Sequence, residues 1–205
     1  MKALNVCFVS SELFPYAKTG GLADVSSSLP LSIKEKGHDI RLMVPKYKAI
    51  SERKYTIREV IRLKNIPVCN NDKEYEFSAK TSFLLDSKVH VYFLENDELF
   101  NRSGLYLDPE TGKDYGDNLQ RFSFFSRAVL ETLKALHWTP DIIHCNDWQT
   151  ALIPILLKFD PQYEEIFSKT KTVLTIHNLA FQGIFPMKDE EIYCHGFQVM
   201  SSNWR

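Results

Sequence analysis

Four short apolar runs set the limits on what this chain can fold into. Residues 5–10 (NVCFVS), 39–44 (DIRLMV), 141–145 (DIIHC) and 172–176 (TVLTI) are rich in Val, Ile, Leu and Cys and lack a clean polar alternation. The first reads as a buried parallel strand and the other three as further strands of a parallel sheet. Parallel neighbours need a long crossover rather than a tight turn, and helix-period segments stand in the gaps. After the first run, Leu22, Val25, Leu29 and Ile33 recur at helical spacing up to Lys36, and Gly37 supplies a stop. Pro30 falls inside that pattern and is expected to kink the helix or shift its start. The strongest helix begins at Asp117, with Gln120 close to a capping box. Leu119, Phe122, Phe125, Val129, Leu130, Leu133 and Leu136 mark its apolar face to about His137. Residues 148–159 form another helix, with Leu152, Ile155, Leu156 and Phe159 expected inward. The repeated strand–helix–strand order predicts a doubly wound, mostly parallel, Rossmann-like α/β sheet.

The stretch 54–95 breaks that rhythm. Residues 54–63, 74–85 and 88–95 are strand-like, with a turn signal at Asn70, Asn71 and Asp72, so a β-hairpin excursion joined to the main sheet is expected. Residues 96–116 are polar and contain Gly104, Pro109, Gly112 and Gly116. A loop of that length inside a compact domain is functional or disordered.

The bulk properties exclude several function classes. A net charge of −1 gives no basic excess for nucleic acid or an anionic membrane surface. The first apolar stretch is too short for a signal-peptide core or a membrane span, so a cytoplasmic protein is expected. Cys7, Cys69, Cys145 and Cys194 form no C-x-x-C pair and have no zinc-ligand spacing with a histidine. They read as reduced packing residues, and no metal or cofactor is implied. The chain's 205 residues suit one domain, 1–205. The final HGFQVMSSNWR has no strong period and adds no closing strand or helix, so the domain is expected to be incomplete and the chain a piece of a longer one.

In open α/β sheets, ligands bind beyond the carboxyl ends of the strands, and polar residues gather there. Ser10-Ser11-Glu12 and then Lys18 to Asp24 follow the first run. Asn146-Asp147-Trp148-Gln149 follow the third, and His177 to Gly183 follow the fourth. Gly20 and Gly21 open a helix, where backbone N–H groups approach an anion, and Lys18 adds a mobile cation. The same residues also suit a plain tight turn with a surface lysine. Neither G-x-G-x-x-G nor a P-loop occurs, which disfavours a dehydrogenase or a nucleotide hydrolase. Asp147 suits sugar hydroxyls, base chemistry or an N-cap, roles that can coexist. Trp148 suits ring stacking or core packing. His177 and Tyr115 each suit either a site role or a structural one, and Gly183 marks a close backbone approach.

Taken together, K-T-G-G-L-A-D from Lys18, N-D-W from Asn146 and H-N-L-A-F-Q-G-x-F from His177 resemble the bacterial glycogen synthase and plant starch synthase family, in order and spacing, from residue 5 to about 196. The resemblance implies the N-terminal, acceptor-side half of a two-domain glycosyltransferase B-type fold, whose nucleotide-binding C-terminal domain lies beyond Arg205. It implies transfer of glucose from ADP-glucose to the non-reducing end of an α-1,4-glucan, with retention of configuration and no metal. Lys18 matches the lysine that approaches the donor diphosphate, with Gly20 and Gly21 as backbone partners and Asp24 nearby. Asp147 and Trp148 match cleft residues near the transferred glucose, and Asn178 a substrate-binding position beside His177. His177 matches the histidine that steadies the oxocarbenium-like transition state, and Tyr115 a tyrosine that orders the site. Many members carry histidine where Gln149 stands; glutamine donates a hydrogen bond but does not titrate. UDP-glucose as donor, and a glucan-binding module without catalysis, are the competing readings. Nothing in this half decides the base, and the chain alone is expected to be inactive, because the partner domain supplies the remaining cations for the diphosphate and closes the cleft.

Overall fold

The computed structural model describes residues 2–70 and 73–185. Strand β1 (Asn5–Val9) is central, with Cys7, Phe8 and Val9 fully buried. It pairs in parallel with β2 (Asp39–Pro45) on one side and, far along the chain, with β7 (Ile142–Asn146) on the other. Beyond β2 lies the parallel strand β6 (His90–Glu95), and beyond β7 the parallel strand β8 (Lys171–Thr175). The excursion adds β5 (Lys73–Phe83) antiparallel to β6, with β3 (Arg58–Glu59) outside it. Strand β4 (Ile66–Asn70) forms a hairpin with β5, Asn70 facing Lys73. The order is thus β3-β5-β6-β2-β1-β7-β8, with β4 on β5. This is the Rossmann-like sheet the apolar runs predict.

Helix α1 (Gly21–Glu35) crosses from β1 to β2. It continues unbroken past Pro30, which neither ends it nor shifts its start from the glycine pair. Proline in a helix interior costs about 3 kcal/mol. Burial of Leu22, Ala23, Ser26, Ser27 and Pro30 itself against the sheet offsets that. The helix stops where Gly37 takes a φ of +87°.

Between β6 and β7 come the short α2 (Asp97–Phe100), an irregular stretch, and α3 (Asn118–Ala135). Asp117 precedes α3 but does not cap it through its side chain. Its carboxylate takes a charged hydrogen bond from Arg102 at 2.7 Å, and Gln120 bonds the Tyr75 hydroxyl instead of closing a box. The irregular stretch is fixed by one fully buried side chain. Arg121 donates to the carbonyls of Leu99 (2.7 Å) and Leu105 (2.9 Å) and to Asn118 Oδ1 (2.7 Å), while Asn118 Nδ2 holds the Tyr106 carbonyl at 2.9 Å.

Two readings of the sequence are corrected. Residues 54–63 are not a long strand: only Arg58–Glu59 pair, followed by a 3-10 turn, Ile61–Leu63. Ile61 is 86% exposed while Leu63 is buried, so the alternation breaks, and β4 takes the place of the expected strand. In the crossover from β7 to β8, a 3-10 turn at Trp148–Thr150 precedes α4 (Leu152–Phe159) and α5 (Pro161–Glu164). The tighter turn rotates the helix out of the assumed phase. Ile153 and Leu156 are buried, while Ile155 and Phe159 are more than two-fifths exposed. The turn residues Asn71 and Asp72, and Cys194, lie outside the described residues.

Cys7 and Cys145 sit in the two central strands, and burial pushes both thiols upward, Cys145 to about 12. At pH 8 a thiol with that value is about 10⁻⁴ thiolate. Peptide mapping after native iodoacetamide treatment should therefore find both unmodified, and both should react in urea. Rapid native modification of either would contradict the central placement of these strands.

Candidate functional site

The strand order reverses at β1. The chain leaves β1 toward β2 and returns, much later, to place β7 on the opposite side. Carboxyl ends on either side of such a reversal part to leave a crevice. From β1 this crevice receives Ser10, Ser11 and Glu12, all buried. The Glu12 carboxylate accepts from Thr19 N–H (2.7 Å), Thr19 Oγ1 (2.5 Å), Gly20 N–H (3.1 Å) and the Tyr106 hydroxyl (3.0 Å). The Tyr106 oxygen also lies 2.7 Å from Ser11 Oγ. Since its single proton goes to Glu12, Ser11 donates to it. Burial, with Tyr47 and Glu12 nearby, holds the Tyr106 phenol well above its ordinary pKa, so it remains a donor.

This network ties the irregular loop to the central strand; the sequence places Glu12 among the polar residues after the first run but assigns it no role, and it does not point to Tyr106. Glu12 lies three residues past the end of β1, whereas Asp147 immediately follows β7. Tyr115 lies farther back. Its N–H donates to the Tyr106 carbonyl at 3.0 Å, and its hydroxyl accepts from Gly104 N–H at 3.2 Å. Its ring lies against the guanidinium groups of Arg102 and Arg121, at 4.9 and 5.1 Å. It reaches the crevice through Tyr106 rather than by its own hydroxyl.

Lys18 Nζ pairs with both Asp24 oxygens, at 2.6 and 2.7 Å, in an exposed ion pair. Such pairs are worth about 0–1 kcal/mol, so Lys18 can leave Asp24 for a better anion. Gly20 has a φ of −149°, and a Cβ built on Gly20 or Gly21 would meet nothing within 4 Å. Neither glycine is demanded by backbone strain; what they provide is open space above the N-terminus of α1. The N–H groups of Thr19 and Gly20 are already taken by Glu12, which leaves those of the first turn of α1 for an incoming anion.

At the end of β7, Asp147 adopts a φ of +58°, a costly conformation for a non-glycine residue. Its N–H donates to the Thr175 carbonyl at 2.9 Å, and its Oδ1 accepts the His177 N–H at 2.7 Å. It forms no side-chain cap on the following turn. The His177 ring meets Asn146 Oδ1 through Nε2 at 2.9 Å. Asn178 accepts the Ala180 N–H at 3.0 Å and opens the next turn. Trp148 packs edge-on against Phe122 and Phe185, at 5.1 and 5.5 Å between centroids. Gly183, at φ +61°, passes so near that a Cβ there would lie 2.6 Å from the Trp148 ring. Gln149 is buried, and its Oε1 has no hydrogen-bond partner among the described residues. Behind the site, burial and then the neighbouring His177 lower the pKa of His144, whose Nε2 is 2.8 Å from Thr175 Oγ1. Thus Asp147 at the end of β7 meets His177 and Asn178 beyond the end of the adjacent β8, while Lys18, Gly20, Gly21 and Asp24 follow β1 on the other side of the crevice.

A family model described as the starch synthase catalytic domain matches residues 5–203. A glycogen synthase of Chlorobium luteolum is 44% identical over 184 residues, which cover 90% of this chain and 38% of that protein. Glycogen synthase 2 of Geobacter sulfurreducens is 44% identical over 183 residues, 89% of this chain and 37% of that protein. Among solved structures, the catalytic domain of starch synthase IV from Arabidopsis thaliana bound to ADP and acarbose superposes with a TM-score of 0.77 at 30% identity. That match covers 89% of this chain and 35% of the plant chain. The chain therefore spans less than two-fifths of the length of each of these relatives.

Replacing Glu12 with Leu leaves the Tyr106 and Thr19 hydroxyls and two loop N–H groups without their acceptor. Urea unfolding followed by circular dichroism should show a loss of roughly 2–4 kcal/mol. Tyr106→Phe, which removes one donor, should cost about 1 kcal/mol. Equal, negligible losses would contradict the network.

Proposed function

Because the chain belongs to the family of starch synthase catalytic domains, we propose that it is the acceptor-side domain of a glycogen synthase that transfers glucose from ADP-glucose to the non-reducing end of an α-1,4-glucan with retention of configuration. One observation carries the reading beyond the family. The Asp147–His177 clasp and the open N-terminus of α1 face the same crevice from opposite sides of the point where the strand order reverses. A nucleotide sugar has two such ends, a diphosphate and a hexose.

In this reading the diphosphate lies over Gly20 and Gly21, where no side chain obstructs it and the helix N-terminus favours negative charge. Lys18 exchanges Asp24 for that diphosphate. Bond cleavage builds negative charge on the departing diphosphate and positive charge on the sugar carbon, and fixed dipoles aimed at both act mostly in the transition state. His177 faces the sugar, with its backbone held by Asp147, and Asp147 offers its second oxygen to a sugar hydroxyl. Trp148 and Asn178 shape the wall beside them, and Tyr115 orders the loop that carries Tyr106. The remaining cations for the diphosphate, and the contacts that read the base, belong to a C-terminal nucleotide-binding domain of the same polypeptide. The donor brings its own leaving group, and the reading assigns no metal or cofactor to the reaction. We place the enzyme in the cytoplasm; among the described residues no helix is long and apolar enough to cross a membrane.

ADP rather than UDP is favoured as the leaving group by the ADP bound to the plant relative. The test is incorporation of radiolabelled glucose into glycogen by the whole protein. ADP-glucose should exceed UDP-glucose at least roughly tenfold, and His177→Ala should lower kcat by about 10²-fold with a smaller effect on the glucan KM. Residues 1–205 alone should fall more than about tenfold below the whole protein, since one exposed lysine is screened by water and domain closure is missing. A His177→Ala enzyme with near-normal kcat would refute the assigned role.

A further inference from the structure

We propose that Asn146 is a positioning residue that fixes the proton of the His177 imidazole on Nε2, leaving Nδ1 as the ring's hydrogen-bond acceptor for the hexose. The consequence for catalysis rests on the reading of His177 given above; the tautomer does not.

The argument begins in the sheet. Asn146 is the last residue of β7 and is fully buried. Its Nδ2 lies 3.0 Å from the Val9 carbonyl of the neighbouring central strand and 3.3 Å from the His144 carbonyl. Carbonyl oxygens only accept, so the amide nitrogen must face them and the amide oxygen must face away. That oxygen is the atom 2.9 Å from His177 Nε2. It has no proton to give, so Nε2 must carry the hydrogen. A neutral imidazole has one N–H, which leaves Nδ1 with its lone pair. Thr150 Oγ1 donates to the Asn146 carbonyl at 2.9 Å and pins the same residue from the following turn.

His177 is thereby held twice. Asp147 holds its backbone N–H, and Asn146 holds the tip of its ring. Among the described residues, the ionisable neighbours Asp147 and His144 make no hydrogen bond to the ring: Asp147 spends Oδ1 on that backbone N–H, and His144 turns its Nε2 to Thr175 Oγ1. The tautomer is therefore set by the Asn146 amide, and through it by the β1 backbone. A site with a preset acceptor favours a ligand that presents a hydroxyl there and disfavours an analogue that lacks one.

Histidine-selective ¹⁵N labelling tests this in the whole protein, with the His177 signals identified by their loss in His177→Gln. The wild-type spectrum should show His177 protonated on Nε2, with that proton protected from water. Asn146→Leu should lose the protection and admit the other tautomer. In the same variant kcat should fall roughly tenfold with the glucan KM nearly unchanged. A wild-type His177 with its proton on Nδ1, or exchanging as in free histidine, would overturn the proposal without any variant being needed. Loss of the protected proton with unchanged kcat would overturn the positioning role. If His177→Ala also leaves transfer unchanged, it is the reading of the site that fails, while the Asn146–His177 bond stands.

Discussion

A buried strand with parallel neighbours on both sides cannot be reached by tight turns, and this condition on β1 organises the molecule. The chain must cross over through α1 to reach β2, and later return through α3 to reach β7. The two departures in opposite directions leave the carboxyl ends of β1 and β7 side by side at the mouth of a crevice. Everything proposed for the site follows from that gap. The glycine loop hangs from one side of it and the Asp147–His177 pair from the other.

What fixes the loops around the gap is a small number of fully desolvated polar groups. Glu12 gathers four donors from two different loops. Arg121 gathers two carbonyls and Asn118. Asn146 joins the central strand to the His177 ring. Buried polar groups of this kind are costly if left unpaired and specify one arrangement when paired. They hold a loop rich in glycine in one place without regular secondary structure. The exposed Lys18–Asp24 pair behaves oppositely: water screens it, so the lysine stays available.

The strands at the heart of the sheet were legible because burial on both faces leaves short apolar runs bounded by turn signals. Helices α1 and α3 were legible from their period. What stayed hidden depends on contacts between segments distant in the chain. Tyr106 and Tyr115 lie in the same irregular loop, and only the return of that loop to Glu12 puts the Tyr106 hydroxyl at the strand end. The buried face of α4 was misplaced because a 3-10 turn shifted its phase. Strand β4 carries Pro67, and on a strand with one described neighbour, β5, a missing donor is tolerated. The order and spacing of the polar motifs carried the family, and the geometry then supplied the partners of Asp147 and His177.

The central claim is that the crevice at the β1–β7 reversal holds the nucleotide sugar. The most direct measurement is a crystal structure of the whole protein with ADP and a maltooligosaccharide. The account predicts the diphosphate within hydrogen-bonding distance of the first turn of α1 and of Lys18, with a sugar ring against Asp147 and His177. A diphosphate bound elsewhere, with Lys18 still paired to Asp24 and the space above Gly20 and Gly21 unused, would contradict it.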